Sequence, residues 1–271
     1  MPVSSYTCLP MRPPLSTLSS SSSSSPSPSG AGTVVQCRGL SVECGRKTVL
    51  DDVDMDLKPG ITCLIGRNGA GKTTLLRVLC GILRPSFGQV RVLGVDPLVA
   101  GSARRAVGYL THRPSLNRSL TVRDNLHFWA RILGLDWEQG ADRVDELVRR
   151  FELRGKLDQR AGTLSRGQQR RVAIVRVLLS QPRLILMDEP GTGLDALALR
   201  ELHTQIEELA DDGVSAIYAT HALDEAVRLG DQFLLLAGGT TLHIDRHTEP
   251  REPAVLADRL LQRLICLGDA S

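Results

Sequence analysis

A glycine-rich stretch followed by a lysine and two threonines is the first segment whose residue types could do chemistry. It reads GRNGAGKTT and fits the pattern G-x-x-x-x-G-K-[ST]. Its glycines let backbone N–H groups turn inward around a phosphate, Lys72 supplies a positive charge to the β- and γ-phosphates, and the Thr73 hydroxyl can bind Mg²⁺. An ordinary glycine-rich turn is the alternative, but an apolar strand precedes this stretch and an amphipathic helix follows it. The predicted phosphate site consists of Gly66, Arg67, Asn68, Gly69, Ala70, Gly71, Lys72, Thr73 and Thr74.

Two neighbouring carboxylates follow an apolar run in the stretch LILMDEP. The run has the length of a buried strand, and ligands of doubly wound sheets bind where such strands end. Asp188 is placed to hold Mg²⁺ through water, and Glu189 can polarise an attacking water as a general base. Strands often end in acidic residues, so this pattern alone is a weak indication of a site. Together with the phosphate-loop pattern earlier in the chain, it is a strong one.

A helix is predicted to begin in the stretch LSRGQQRR. Ser165 and Gln168 have the spacing of a capping box, in which each side chain binds the other residue's backbone N–H. Val172, Val175 and Leu179 would then share one face of the helix. Taken alone, the stretch predicts a capped helix and no more.

The elements that must position these residues alternate in type along the chain. Residues 33–57 favour short antiparallel strands, with a hairpin in VVQCRGLSVEC, and residues 113–164 are predicted to be mostly helical. After Ser165, helices alternate with strands, which is typical of a parallel sheet covered by helices. We therefore expect an α/β fold with a P-loop NTPase core and mainly parallel sheet, an N-terminal antiparallel β subdomain and an α-helical subdomain. The predicted core strands are residues 61–65, 184–187, 214–220 and 233–236, and a helix over 72–80 ends at Gly81.

In this order and spacing, the motifs resemble those of the ABC-transporter ATPase family, whose signature reads LSGGQ where this chain has LSRGQ. The resemblance runs from about Val34 to Leu242. GTGLD is similar to the loop after the second acidic motif and contains Asp195, and YATHALDEA contains a switch histidine, His221. The resemblance implies ATP and Mg²⁺ as ligands and hydrolysis through Glu189 and His221. It also implies nucleotide contacts from Ser165, Gly167, Gln168 and Asp195.

The same resemblance implies partners. Two such domains pair head to tail, and each ATP lies between one phosphate loop and the other copy's signature helix, whose N-terminal end is positive. A separate membrane-spanning subunit, received by residues 113–164, would convert this motion into transport, with export expected. The chain would then lie peripherally on the cytoplasmic face of the cell membrane. The alternatives are an ABC ATPase without a membrane partner, such as an iron–sulfur assembly factor, and a non-hydrolysing scaffold, against which the presence of Glu189 argues.

Three positions depart from the family pattern. His112 stands where the family has a lid glutamine that senses Mg²⁺, and a neutral imidazole can accept from water or bind a metal. Cys44 stands where the family stacks an aromatic ring on adenine, so weak discrimination among purine nucleotides is expected. Arg166 replaces the first inner glycine of the signature, either at the surface, which we favour, or near the partner's phosphates. The histidine and the stretch LSRGQQRR resemble haem-exporter ATPases of cytochrome c maturation, and drug-export ATPases are similar as well.

Composition and charge narrow the classes of function. The 271 residues carry a net charge of only +3, and the basic residues are spread along the chain, which argues against a nucleic-acid partner. The six cysteines form no C-x-x-C pair, so we expect reduced thiols rather than disulfides or a zinc site. No stretch approaches the roughly 20 consecutive apolar residues that span a bilayer.

Residues 1–32 differ from everything that follows them. They are rich in Ser and Pro, lack acidic residues and show no hydrophobic period, which predicts a disordered tail. An organellar transit peptide and a wrongly assigned start codon remain open, although Arg12 is the segment's single arginine. We expect an ATPase domain over residues 33–245 and a C-terminal extension over 246–271, where PAVLADRLLQRLICLG favours an amphipathic helix.

Overall fold

Two β-sheets form the centre of the chain. The structure is a computed structural model that describes residues 32–99, 105–135 and 137–269, so the predicted tail lies outside the described residues apart from its last one, Gly32. The strands are β1 (Val35–Cys44), β2 (Lys47–Leu57), β3 (Ile61–Ile65), β4 (Phe87–Val92), β5 (Val107–Leu110), β6 (Leu184–Asp188), β7 (Ser215–Thr220), β8 (Gln232–Ala237) and β9 (Thr240–Asp245). The helices are α1 (Lys72–Leu79), α2 (Val122–Ile132), α3 (Trp137–Arg150), α4 (Arg166–Leu178), α5 (Ala196–Asp211), α6 (Leu223–Leu229) and α7 (Pro253–Asp269).

The larger sheet has the strand order β5-β6-β7-β3-β8-β9 and is parallel except for β9. Its central strands are buried at every position, which explains their near-continuous apolar sequences. Because the strands are parallel, the carboxyl ends of β3, β5, β6 and β7 lie along one edge of the sheet. Four of the predicted motifs begin at these ends: the phosphate loop, the loop of His112, the two acidic residues and the switch histidine. The predicted mainly parallel core is confirmed.

The smaller sheet is antiparallel, with the order β2-β1-β4, and confirms the predicted N-terminal β subdomain. In β2, Val53, Met55 and Leu57 are buried, while Asp52, Asp54 and Asp56 are exposed. The hairpin predicted within VVQCRGLSVEC is wrong, because these residues form the single strand β1. Gly39, with a φ of 55°, lies at an irregularity in the pairing, and the chain turns back later, at Gly45.

Two amphipathic helices, α2 and α3, form about half of residues 113–164, the segment predicted to be mostly helical. Helix α2 begins at a capping box in which Thr121 and Asp124 satisfy each other's backbone N–H. Residues 113–121 ahead of it are not helical, and Asn125 holds this loop by accepting from Asn117 N and donating to Asn117 O. A polar side chain that satisfies backbone groups in this way stabilises an irregular segment without helical hydrogen bonds.

The C-terminal helix α7 packs on the hydrophobic core beside the larger sheet through Leu256 and Leu260, which are fully buried. A nearly buried carboxylate, Glu249, pairs with Arg263 of this helix at 2.9 Å and lies 3.5 Å from Arg259. The helix predicted from the sequence is therefore present and is joined to the core by apolar and ionic contacts. Among the helices in the described residues, none combines the length and the apolar character that a membrane crossing needs.

Candidate nucleotide site

The phosphate loop connects the end of β3 to the start of α1 and requires glycine at two positions. A Cβ atom on Gly66 would lie 2.5 Å from the backbone oxygen of Leu236, a distance that side chains do not tolerate. Gly71 caps α1 with a φ of 108°, in the left-handed region where glycine is not strained. The loop is therefore a tight turn that brings backbone N–H groups and the N-terminal end of α1 to the edge of the sheet.

Lys72 is the charged side chain at the centre of this turn. It is 5% exposed, and its Nζ donates to the backbone oxygens of Gly66 at 2.7 Å and Arg67 at 3.3 Å. The same Nζ lies 3.2 Å from Oε1 of Glu189, at the end of β6. The phosphate loop and the acidic strand end are thus joined by a largely buried ion pair.

Glu189 has a strained backbone and three polar neighbours. Its φ is 47°, which is unusual for a residue other than glycine, and its N–H donates to Ala219 O at 3.0 Å. Oε1 lies 3.4 Å from Nδ1 of His221, and Thr192 donates to Oε2 at 3.3 Å. Burial raises the pKa of this carboxyl, but Lys72 and then His221 outweigh it, so the pKa lies below its ordinary value. Glu189 is therefore ionised near neutral pH, as a general base must be.

Asp188 and Thr73 form a second polar pair beside the first. The Thr73 hydroxyl donates to the Asp188 carboxylate at 2.9 Å, and Tyr109 donates to it at 3.4 Å. Burial, followed by the charge of Asp188, raises the pKa of Tyr109 to about 12. Throughout the described residues, no group of three or more His, Cys, Asp and Glu side chains could hold a metal ion. One carboxylate and one hydroxyl do fit Mg²⁺, which takes hard oxygen ligands and completes its shell with water and phosphate oxygens.

The third residue predicted to hold a metal, His112, is not joined to this pair. Its side chain is exposed, and within the described residues no hydrogen bond connects it to Thr73 or Asp188. Its backbone oxygen instead accepts from Arg170 at 3.0 Å, and the same guanidinium donates to Thr111 O at 3.0 Å. Arg170 is 4% exposed, and burial lowers its pKa to about 10. The loop of His112 is therefore anchored to helix α4.

Helix α4 begins at Ser165 with the predicted capping box. Gln168 N donates to Ser165 Oγ at 3.2 Å, and Ser165 N donates to Gln168 Oε1 at 3.1 Å. Ser165 is exposed, and no hydrogen bond in the described residues joins the start of α4 to the phosphate loop. The chain therefore brings the phosphate loop, Asp188, Glu189 and His221 together, while it leaves Ser165, Gly167 and Gln168 at a separate exposed helix end.

Two further predicted residues have local contacts. Arg166 lies over the loop that follows Glu189, since a Cβ on Gly193 would come within 2.6 Å of its Nη1. Asp195 caps helix α5 by accepting from Ala198 N at 2.8 Å. Cys44 is exposed at the end of β1.

Sequence reasoning missed Tyr109 and Arg170. Tyr109 precedes the His112 loop in β5, and Arg170 follows the signature in α4, so both lie next to motifs that were recognised. Nothing in their spacing indicates a partner, because each contact joins elements distant in sequence. A buried arginine inside the apolar face of α4 is the signal that could have drawn attention to Arg170.

An open cleft of about 930 Å³ lies beside the phosphate loop. Its polar wall contains the loop residues 66–70 and His221, and its apolar wall contains Leu261 and Ile265 of helix α7. The C-terminal helix therefore borders the site as well as packing on the core.

The family of the chain follows from comparison with known proteins. A family model described as ABC transporter matches residues 50–192, from strand β2 to the loop after Glu189. The chain belongs to the ABC transporter family, as an ATP-binding and ATP-hydrolysing member. The fold is found in solved structures of such proteins. The structure of an ATP-binding subunit of an ABC transporter is 29% identical and has a TM-score of 0.74, covering 86% of this chain and 100% of that one.

Relatives act in both directions of transport. A Nod factor export ATP-binding protein I from Rhizobium etli is 34% identical over 213 residues, which are 78% of this chain and 67% of the relative. A sulfate/thiosulfate import ATP-binding protein CysA from Caulobacter vibrioides is 36% identical over 216 residues, which are 76% of this chain and 62% of the relative. The solved structure of cbiO1 from Clostridium perfringens, part of the ABC transporter complex cbiONQ, is 25% identical with a TM-score of 0.75, and the match covers 88% of this chain and 98% of that one.

Proposed function

We propose that two copies of this chain bind two ATP molecules between them and that hydrolysis drives transport through a separate membrane-spanning subunit. The observation that carries the proposal is the meeting of Lys72, Asp188, Glu189 and His221 at one sheet edge, with the capped start of α4 exposed elsewhere. Within one chain the edge supplies phosphate and water contacts. The exposed start of α4 can contact the nucleotide that another copy of the chain binds.

The proposed roles at the edge follow from charge and position. Lys72 and the backbone N–H groups of residues 66–74 bind the β- and γ-phosphates, which compete with Glu189 for the Lys72 ammonium. Glu189, released from that pair, polarises the attacking water, and His221 contacts the γ-phosphate. Thr73 and Asp188 would hold Mg²⁺, which would supply positive charge against the phosphate oxygens. His112 would be a further ligand of this ion from its exposed position on the anchored loop.

The proposed dimer places the start of α4 against the other copy's nucleotide. Ser165, Gly167 and Gln168 lie in the first turn of that helix, where unpaired N–H groups and the helix dipole favour anions. Asp195 is assigned to the same surface, because it is two residues after Gly193, which Arg166 approaches from the first turn of α4. ATP would then join the two copies, and hydrolysis would let them separate.

The proposed membrane partner binds the groove between α2 and α3. The groove measures about 900 Å³, and Phe128 and Ile132 line it with exposed fractions of 54% and 56%. Charged side chains, including Arg123 and Asp145, surround these apolar ones, as at many protein interfaces. A short helix of the membrane subunit fits such a groove, and the chain would then lie at the cytoplasmic face of the membrane. Export is the proposed direction, as for the Rhizobium etli relative, whereas the Caulobacter vibrioides relative is named as an importer.

A single variant, Glu189→Gln, tests both the proposed general base and the proposed dimer. This variant should bind ATP, form a stable dimer in light scattering and lose at least about 100-fold in turnover, the usual scale for removal of a general base. Glu208→Gln is the matched control, because Glu208 is exposed on α5 and should leave turnover and dimerisation unchanged. Hydrolysis by Glu189→Gln at the unaltered rate contradicts the assignment of the base. A monomer at saturating ATP contradicts the dimer.

The membrane partner is tested by co-purification from detergent-solubilised membranes. The tagged chain should retain a protein with several apolar spans, and Phe128→Asp should lose it while keeping the ATPase rate of the isolated chain. Arg149→Asp, on the exposed surface of α3, is the control. Co-purification without any membrane protein would favour the alternative of an ABC ATPase that works alone. The direction is tested in inside-out membrane vesicles, whose outer face is the cytoplasmic one. ATP-driven uptake of the transported compound into these vesicles would support export, whereas its ATP-driven release from them would support import.

A further inference from the structure

One carboxylate with no role assigned so far lies in the same stretch as the switch histidine, YATHALDEA, and connects the elements that carry Glu189 and His221. Glu225 lies in the first turn of α6, four residues after His221. Its Oε2 accepts from the Tyr218 hydroxyl at 2.7 Å and from the Thr220 hydroxyl at 3.1 Å. Tyr218 is fully buried in β7, and Thr220 is 4% exposed at the end of the same strand. The carboxylate therefore faces the strand end that immediately precedes the switch histidine.

The chemistry of these groups fixes the direction of each hydrogen bond. An ionised carboxylate only accepts, so Tyr218 and Thr220 must both donate their single hydroxyl protons to Glu225. The lone pairs of Thr220 Oγ1 are then available to Ala222 N, which donates to it at 3.0 Å. Because Thr220 and Ala222 flank His221, this chain of hydrogen bonds sets the backbone of the turn from which the histidine projects. Hydrogen bonds to a charged acceptor are the stronger kind.

The same carboxylate also borders the loop that follows the general base. Gly191 lies two residues after Glu189, and a Cβ on Gly191 would lie 3.0 Å from Glu225 Oε1 and 3.0 Å from the Tyr218 hydroxyl. The loop backbone therefore packs directly against Glu225 and Tyr218. Glu189 has a left-handed φ, and such a conformation persists only where the surroundings hold it.

We infer that Glu225 is a positioning residue for ATP hydrolysis, which holds the His221 turn and the loop after Glu189 in register. This inference rests on the roles proposed for Glu189 and His221. No contact of Glu225 with nucleotide or attacking water is part of this inference. It acts through Thr220 on one side and through Gly191 on the other, so that the base and the histidine stay within 3.4 Å of each other. A displacement of catalytic groups by about 1 Å can cost on the order of 100-fold in rate.

The test compares Glu225→Ala and Glu225→Gln with Asp224→Ala, a neighbouring exposed carboxylate in the same turn. Steady-state hydrolysis gives kcat, and titration with a fluorescent ATP analogue gives Kd. Glu225→Ala should lower kcat by at least about tenfold with Kd within about threefold, since positioning is lost and the phosphate loop is intact. Glu225→Gln keeps an amide oxygen that can accept from both hydroxyls, so its kcat should return to within about threefold of the parent. Asp224→Ala should leave both constants unchanged.

The outcomes that overturn the inference are distinct from those that overturn the proposed function. A kcat of Glu225→Ala within twofold of the parent, or an equal loss of kcat in Glu225→Gln, contradicts positioning through these hydroxyls. If Glu225→Ala does not fold, Tyr218→Phe removes one hydroxyl from the network and keeps the ring, and it should lower kcat severalfold at unchanged Kd. An unaltered kcat in Tyr218→Phe also overturns the inference. Glu189→Gln, measured in parallel, reports on the proposed base independently of Glu225.

Discussion

The edge of the parallel sheet and the start of helix α4 differ in how far this chain completes them. At the sheet edge, Lys72 and Glu189 are largely buried and hold each other, and Thr73 is bonded to Asp188. At the start of α4, Ser165 is exposed, and its box satisfies only groups within the same turn. The difference indicates that one chain preorganises the phosphate and water contacts, while the helix end keeps N–H groups available for another copy's nucleotide.

Lys72→Ala is the substitution that should damage the sheet edge most. It removes the buried ammonium and leaves Glu189 without the partner that lowers its pKa most. ATP affinity should fall by about 100-fold or more, which corresponds to about 3 kcal/mol for a lost charged contact. Calorimetric titration with ATP measures this. Lys58→Ala is the control, because Lys58 is exposed and pairs with Asp245, away from the sheet edge. Unchanged ATP affinity in Lys72→Ala would remove the basis of the comparison.

Ser165→Ala and Thr121→Ala sharpen the comparison, because both remove the cap of a helix that begins with a capping box. Each should lower the free energy of unfolding by about 1 kcal/mol. Only Ser165→Ala should also lower ATP turnover, by about tenfold, if its hydroxyl and helix end contact the partner's phosphates. Thermal unfolding and steady-state hydrolysis separate the two effects. Equal turnover in the two variants would place the start of α4 outside the nucleotide site.

Cys44 tests the contact with the nucleotide base, which neither the sheet edge nor the start of α4 supplies. With no aromatic ring at this exposed position, mant-ATP and mant-GTP should bind with similar affinities. Cys44→Phe should tighten binding of both by about 1 kcal/mol, roughly fivefold, through base stacking. Cys44→Ala is the control and should match the parent. A strong preference of the parent protein for ATP over GTP would contradict this prediction.

The pH dependence of stability tests the role of His203, which lies in the buried layer behind the sheet edge. The side chain is 3% exposed against Tyr218, and burial, with a smaller contribution from Arg228, lowers its pKa to about 4. Because the unfolded chain binds the proton at a higher pH than the folded chain, stability should fall as pH drops from 6.5 towards 4, by up to about 1 kcal/mol per pH unit. His203→Leu should show a shallower loss in thermal unfolding between pH 6.5 and 4.5. An equal slope in the two proteins would exclude His203 as the cause.

Local patterns predicted the parts of the site that are continuous in sequence. The turn at Gly66 and Gly71, the strand end at Asp188 and the box of Ser165 depend on neighbours within a few residues, so spacing was sufficient. The hairpin in β1 was predicted wrongly because Gly39 signals a turn and an irregular strand equally well. The contact of Arg170 with the His112 loop and the approach of Glu225 to Gly191 could not be predicted, since they join segments whose proximity exists only after folding.

The left-handed backbone at Glu189 has a consequence for any attempt to make this protein more robust. A residue with a Cβ is held there at a standing conformational penalty of about 1 kcal/mol or more, so glycine should be more stable than alanine at this position, although both lack the carboxylate. Selection for thermal tolerance alone would thus favour loss of the base. At Glu189, thermal stability and ATP turnover therefore favour different residues. Libraries of variants screened only for survival on heating would lose ATPase activity through substitutions at this position first.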